Sequence, residues 1–402
     1  MGLTHGVTDR WRYEETVLSL CAVAMFATSV ARISFSPLVP AITETYGVSN
    51  GLIGLTLTGM WFTYGVIQFP SGVLATRYGE RTTILFALGG TMATCLLISV
   101  APVFAVFVLG TILLGTVAGM HYSVATTLLS RTYDNVGSAI GIHHLGGAAG
   151  GLLGPIGATW LLKQYSWHHA IVASAGVAGV AFVLFYWRVR PSDPQEATAT
   201  DGGMEVGREA FEALRSFESA FLVGVMIVYM FVGQAVISFL PTFLVTFHGQ
   251  STTLAGTIFA AFFVINGVMQ TGIGVLADYL DRNLLIIGCL VLGIAGFGLL
   301  IGSGGLAIIV TASVLIGVGT CGMTVLIAQI MDYLPEVVRS SGFGLTQSIV
   351  MIGGSFGSVS AGMLADQFGW AVSFGVLGGL LTLLLVSYGF RIMWTAVGIA
   401  DK

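Results

Sequence analysis

The sequence predicts an all-α membrane protein: twelve transmembrane helices in two six-helix, pseudo-symmetric halves. Three observations lead there. Of the 402 residues, 55% are hydrophobic and 8% charged, whereas a soluble domain carries about 25% charged residues. Apolar runs of about 20 residues, long enough to cross a lipid core, recur from end to end. The second half of the chain also echoes the first in register.

Helices are predicted at about 16–40, 50–74, 82–101, 104–128, 138–163, 169–188, 217–243, 253–276, 284–302, 305–330, 340–364 and 370–393, bounded by short connections rich in Gly, Asn, Ser and charge. The first run has no small-residue cleavage site and is expected to be a retained helix. One connection is longer. Residues 189–216 hold Pro191, Pro194 and many charges and read as a linker between half 1–188 and half 217–402. Its end, 204–216, has the pattern of a short amphipathic surface helix. Arg10, Arg12, Arg77, Arg81, Arg131, Arg188, Arg190, Arg208, Arg215, Arg282, Arg339, Arg391 and Lys402 fall on one side of the predicted membrane, and Lys163 on the other. That bias places both termini and the linker in the cytoplasm of a cell-membrane protein. Cys21, Cys95, Cys289 and Cys321 all lie in apolar runs without CxxC spacing and read as small core residues.

A shift of 202 positions lays GVLAT (Gly72–Thr76) on GVLAD (Gly274–Asp278), Gln68 on Gln270, and Arg32 on Gln234. A shift of 203 lays Gly150, Gly151 and Gly154 on Gly353, Gly354 and Gly357, and Trp167 on Trp370. Parallel six-helix repeats of this kind are the logic of a secondary transporter, with a site near the midplane.

Four ionisable side chains lie well inside the predicted helices: Arg32, His121, His143 and His144. A charge in a bilayer costs on the order of 3 kcal/mol or more, so it faces a cavity or a partner. No buried carboxylate in the sequence answers Arg32, so the missing anion is expected to be the substrate. Arg32 lies about eight residues, roughly 12 Å, from Pro40 at the helix end, too far to snorkel easily. Trp61, Tyr64 and Gln68 form an aromatic and amide stripe on the second helix. Gln234, Asn266, Gln270 and Gln347 are the polar counterparts in the second half. Interhelical hydrogen bonding is the alternative use of each. The three histidines are candidate proton carriers, because histidine titrates near neutral pH.

The loop GVLATRYGER (Gly72–Arg81), its echo GVLADYLDRN (Gly274–Asn283), PEVVRSSGFG (Pro335–Gly344) and the turn Asp366–Trp370 resemble signatures of the major facilitator superfamily over nearly the whole chain. The resemblance implies alternating access between two halves and a gating role for Gly72, Thr76, Arg77, Arg81, Arg131, Gly274, Asp278, Arg282 and Arg339. Thr76 stands where the family carries an aspartate that helps lock a gate. Gly141, Gly150, Gly154 and Pro155 resemble the family's helix-5 antiporter signature and imply a moving contact, expected against the glycine-rich eleventh helix. RISFSPLVPAI (Arg32–Ile42), Tyr64 and IHHLGGA (Ile142–Ala148) resemble the glycerol-3-phosphate transporter and its organophosphate antiporter and anion symporter relatives. There an arginine holds phosphate and a histidine, matched by His143, joins the site. The second arginine of that site is Gln234 here, which favours a monoanion such as a small carboxylate.

The expectation is a monomeric secondary transporter of a small organic anion in the lipid bilayer, with protons as a candidate coupling ion. The sequence offers no metal site, cofactor motif, P-loop, nucleophile–base pair or nucleic-acid partner. The rival readings are a drug or hydrophobic-solute proton antiporter and a transporter-like membrane sensor.

Overall fold

The computed structural model describes residues 5–133, 135–191, 212, 214–302, 304–334 and 339–396. These residues form helices and no strand: α1 (His5–Ile33), α2 (Phe35–Tyr46), α3 (Asn50–Tyr78), α4 (Glu80–Ser99), α5 (Phe104–Thr132), α6 (Val136–Gln164), α7 (Trp167–Arg188), α8 (Phe217–Thr246), α9 (Thr252–Leu276), α10 (Arg282–Gly302), α11 (Leu306–Gly319), α12 (Gly322–Tyr333), α13 (Arg339–Phe368) and α14 (Trp370–Ala396). Among the described residues, eleven stretches are long and apolar enough to cross a membrane. The two arms of α3, Asn50–Gln68 and Pro70–Tyr78, make a twelfth span bent by 50°. Most of the linker, 192–211 and 213, and with it the expected surface helix, lies outside the described residues.

Where the helices depart from the predicted runs, backbone chemistry explains it. The first span runs through Tyr46 and is interrupted at Ser34. Pro37 has no N–H for the Ile33 carbonyl, and its ring crowds that same carbonyl. Pro70 relieves α3 in the same way. The tenth span breaks at Thr320–Cys321, between α11 and α12. There Gly319 lies so close to Gly293 of α10 that a β-carbon would sit 2.5 Å from the Gly293 Cα.

The chain forms two compact units, one of Met1–Gly47 with Gly59–Thr200, the other of Val48–Thr58 with Asp201–Lys402. The units differ from the two sequence halves in one stretch, since the first turns of α3 cluster with the second unit. Within the first unit α1 packs chiefly on α6, α4 on α5, and α4 on α7. Within the second, α8 packs on α13, α10 on α11, and α10 on α14. The same three pairings therefore recur in each repeat. So does an aromatic cluster at the head of the sixth helix. Trp167 packs edge-on against Phe107 and donates from Nε1 to Thr45 Oγ1 at 3.0 Å. Trp370 packs with Phe239, Phe243 and Phe374.

The glycines of the fifth helix have close neighbours within their own unit. Gly146, Gly150 and Gly154 line the face of α6 that meets α1, with the Gly146 seat against the Ala22 backbone. A β-carbon on Gly150 would lie 2.7 Å from Ser29 Cβ. Gly353, Gly354 and Gly357 of α13 in turn meet Ile227, Met230 and Phe231 of α8. Each glycine row thus seats the first helix of its own half. Small residues let backbones approach closely, and the nearest partner takes that seat. Pro155 sits inside α6, one residue beyond the third glycine.

In the second unit the start of α3 lies against α13. The Asp366 carboxylate accepts from the Asn50 and Gly51 backbone N–H groups, at 3.1 and 2.7 Å, and from Asn50 Nδ2 at 2.8 Å. It thereby caps the orphan donors of a helix N-terminus. Thr58 Oγ1 donates to the Ser355 carbonyl at 2.9 Å and accepts from the Val359 N–H at 3.0 Å.

Candidate functional site

Arg32 sits in the last turn of α1, two residues before the proline-induced interruption at Ser34, and only 6% of it is exposed. Its Nε donates to the Thr28 carbonyl at 3.1 Å. The guanidinium carbon lies 4.3 Å from the Tyr64 ring centre and 5.1 Å from that of Trp61. Those two rings stand edge to face, 5.7 Å apart. The buried cation is therefore held by π faces. Among the described residues no carboxylate forms an ion pair with it. The stripe read from sequence supplies this cage. Trp61 and Tyr64 are three residues apart on α3 and share a helix face. The close crossing of α3 with α5, where Gly115 meets Met60 and Gly119 meets Tyr64, fixes the stripe in place. Gln68, one turn on, contributes its backbone carbonyl, which accepts from Ser71 and Ser123 at 2.7 and 2.9 Å.

The three histidines gather beside this cage. His143 on α6 is fully buried, and its Nδ1 lies 3.1 Å from the Cys21 carbonyl of α1. A carbonyl only accepts, so Nδ1 carries the hydrogen. His121 on α5 is fully buried with its ring centre 5.3 Å from that of His143. Neither His121 nitrogen, nor His143 Nε2, has a described hydrogen-bond partner. His144 is exposed and lies 3.3 Å from the Tyr122 hydroxyl. Tyr122 was not singled out in the sequence, although its place beside His121 was the available signal.

In the second unit the predicted polar residues separate into two groups. Gln234 on α8 is buried, as its repeat partner Arg32 is. Among the described residues its Nε2 meets the thioethers of Met230 and Met351, at 3.9 and 3.7 Å, and its Oε1 has no described partner. Asn266 Nδ2 donates to the Gly317 carbonyl at 3.1 Å and to Thr320 Oγ1 at 2.9 Å, and its Oδ1 accepts from Gln270 Nε2 at 3.0 Å. This pair is thus bound to the break between α11 and α12. Gln347 is half-buried on α13. Sequence reasoning missed the Asn283–Gln329–Tyr388 network, where the Tyr388 hydroxyl reaches Asn283 Oδ1 at 2.8 Å and Gln329 Oε1 at 2.9 Å.

The predicted gating residues lie at helix ends. Thr76 donates to the Gly72 carbonyl of its own helix at 3.1 Å. Arg77 stacks over Tyr78. Arg81 donates to the Val189 and Tyr186 carbonyls, both at 2.6 Å, which places a cation on the C-terminus of α7. Arg131, at the end of α5, pairs with buried Glu80 at the start of α4. Arg282, at the start of α10, pairs with Asp332 at the end of α12. The two halves thus carry the same ion pair with its signs exchanged. Gly274 packs near Thr324, and Asp278 is exposed. Arg339 opens α13, but its side chain lies outside the described residues.

The family model described as Major Facilitator Superfamily matches residues 21–305 and, again, 222–397. A "Probable 4-methylmuconolactone transporter" of Cupriavidus pinatubonensis is 24% identical over 373 residues, covering 89% of this chain and 84% of its own length. A gallate transporter of Pseudomonas putida is 25% identical over 411 residues, covering 91% of this chain and 89% of its own. The fold is shared with a bacterial homologue of the human lysosomal transporter Spinster, solved inward-facing and unoccupied. Its TM-score is 0.78 at 16% identity, covering 94% of this chain and 96% of that one. The resemblance first seen in the loops after the second and eighth helices thus extends to both halves. The chain belongs to the Major Facilitator Superfamily and is a multi-pass membrane transporter, not an enzyme.

Proposed function

We propose that the protein moves a small monoanionic organic acid, and that a flat or aromatic carboxylate suits it best. The observation that carries this reading is Arg32, a buried cation met by aromatic faces and by no described carboxylate. A carboxylate matches the guanidinium fork in geometry and charge, and an acid with a ring can lie beside Trp61 and Tyr64. The two relatives named above support the class, since gallate is an aromatic monocarboxylate. Gln234, where a second cation would stand by repeat, keeps the fixed charge at one and so favours a monoanion over a phosphate ester. In the first unit Tyr64, Gln68 and His143 complete the proposed site. In the second, Gln234 is the strongest candidate, followed by Asn266, Gln270 and Gln347. Alternating access, with Gly72, Thr76, Arg77, Gly274 and Asp278 as gating elements, is part of the same proposal.

The test is uptake and counterflow in proteoliposomes with gallate, benzoate, a neutral benzyl alcohol control and an organophosphate. Arg32→Gln should lower apparent affinity for the transported acid about 10- to 100-fold, the worth of one charge-assisted hydrogen-bonded contact. Arg32→Lys should recover part of that loss, because it restores charge without the planar fork. Equal uptake by wild type and Arg32→Gln would sink the assignment.

A further inference from the structure

We propose that the cleft between the start of α1 and the end of α7 binds one phospholipid with a primary-amine headgroup, a phosphatidylethanolamine: Arg188 takes its phosphate and Glu15 its ammonium. The site is separate from the candidate substrate site, since Arg32 lies roughly 25 Å further along α1.

The cleft has a volume of about 490 Å³ and is lined by Glu15, Thr16, Ser19 and Leu20 of α1 and by Leu184 and Arg188 of α7. All of them belong to one unit. As first and sixth spans, α1 and α7 cross the membrane in opposite directions, so the start of one and the end of the other reach the same surface. The lining is therefore ordered by depth. Glu15 and Arg188 are exposed at the rim. Ser19, also exposed, and Leu184 stand one turn deeper, about 5–6 Å in. Leu20 is buried behind them. Charge, then hydroxyl, then hydrocarbon is the order a phospholipid presents from headgroup through ester carbonyls to acyl chain. The adjoining face of α7 suits the same surroundings. Val180 and Val183 are 61% and 41% exposed, as apolar side chains against lipid are, and Trp187 is 74% exposed beside Arg188. Tryptophan is enriched at the level of the headgroups.

Charge selects the headgroup. Among the described residues neither Glu15 nor Arg188 has an ion-pair partner, and they do not pair with each other. The neighbouring arginines are committed elsewhere. Arg81 donates to the Tyr186 and Val189 carbonyls, and the Arg190 guanidinium lies 4.7 Å from the Tyr13 ring centre. The Arg190 N–H also donates to the Tyr13 hydroxyl at 3.0 Å. That bond ties the end of α7 to the start of α1 and holds the two walls of the cleft together. A phosphodiester carries one negative charge, which a guanidinium meets with two parallel hydrogen bonds. The carboxylate across the cleft repels any further negative charge and accepts from a cationic donor. A primary ammonium, linked to the phosphate by two carbons, meets both demands. Choline has the charge but no N–H to donate, and a glycerol headgroup leaves Glu15 beside an anion with no cation between them.

The test is native mass spectrometry of the full-length protein in detergent, titrated with dioleoyl phosphatidylethanolamine, phosphatidylcholine and phosphatidylglycerol. The readout is the affinity of the first lipid retained. Wild type should hold the ethanolamine lipid about two- to fivefold more tightly than the choline lipid, the range of one partly exposed ion pair. Glu15→Gln should erase that preference, and Glu15→Lys should turn it towards the glycerol lipid. Arg188→Gln should weaken all three. Glycerol lipid held by wild type as tightly as ethanolamine lipid would overturn the proposal, as would an unchanged preference in Glu15→Gln. The wild-type ratios decide the matter even where a variant is unstable. Inorganic phosphate, which lacks both the ammonium and the chains, should not displace the bound lipid. Displacement by millimolar phosphate would reveal a plain anion site and overturn the lipid assignment.

Discussion

At the scale of single residues, the first unit concentrates its polar investment in one neighbourhood. Arg32, Trp61, Tyr64, His121 and His143 come from four helices and are all buried. Removing a ring from the cage should be distinguishable from removing the charge. Tyr64→Leu deprives the guanidinium of its nearer π face, worth about 2 kcal/mol when desolvated, and should lower both the thermal midpoint and transport. Tyr64→Phe keeps the face and should retain most of the stability, as a thermal melt of the two variants would reveal. Arg32 was legible in the sequence because an unanswered charge in an apolar run needs a reason. That Trp61 supplies half of its surroundings was only half legible. Periodicity placed Trp61 and Tyr64 on one face, but which face met Arg32 depends on how α3 crosses α5.

Among whole helices, small residues determine which pairs come close. Gly150 and Gly157 lie on the same helix and make a controlled comparison. A β-carbon at Gly150 would meet Ser29 and the Phe26 carbonyl at 2.7 and 2.9 Å, whereas at Gly157 nothing lies within 4 Å. Gly150→Ala should therefore destabilise by about 1–3 kcal/mol through overpacking. Gly157→Ala should be neutral or gain up to about 1 kcal/mol from helix propensity. Thermal melts in detergent separate the two, and equal midpoints would contradict the assigned seat. The glycine spacing showed that something approaches α6 closely. It did not say what, because spacing along a helix carries no information about the partner. Helix number and order were legible from hydropathy alone. The interruptions at Ser34 and Thr320 were less so, since they follow from proline and glycine inside runs that remain apolar throughout.

For the molecule as a whole, the repeat written in the sequence reappears as repeated pairing: first helix on fifth, third on fourth, third on sixth, in each unit. Trp167 and Trp370, matched in the sequence, each sit in an aromatic cluster. The match of Arg32 to Gln234 placed two buried polar side chains at equivalent points. The ion pairs at the start of the third helix of each half went unseen, because an alignment scores identity and these residues are opposites. The pairs should also differ in worth. Glu80 is nearly buried, with its side chain 7% exposed, whereas the Asp332 side chain is 66% exposed. Breaking a buried pair strands a charge, and breaking an exposed one costs little. Glu80→Gln should therefore lower the melting midpoint more than Asp332→Asn. The double reversal Glu80→Arg with Arg131→Glu should recover part of what either reversal loses alone.

That inversion bears on ancestry. If both halves descend from one six-helix unit, one pair has exchanged its signs since the duplication. Single substitutions cannot do this without passing through two like charges or through a neutral residue at the same junction. The junction must at some time have functioned without its ion pair. The pair that could most easily be lost and rebuilt is the solvent-facing one, Arg282 with Asp332. What descended through the duplication was a sum of charge at a helix corner, and the letters that compose the sum were free to trade places.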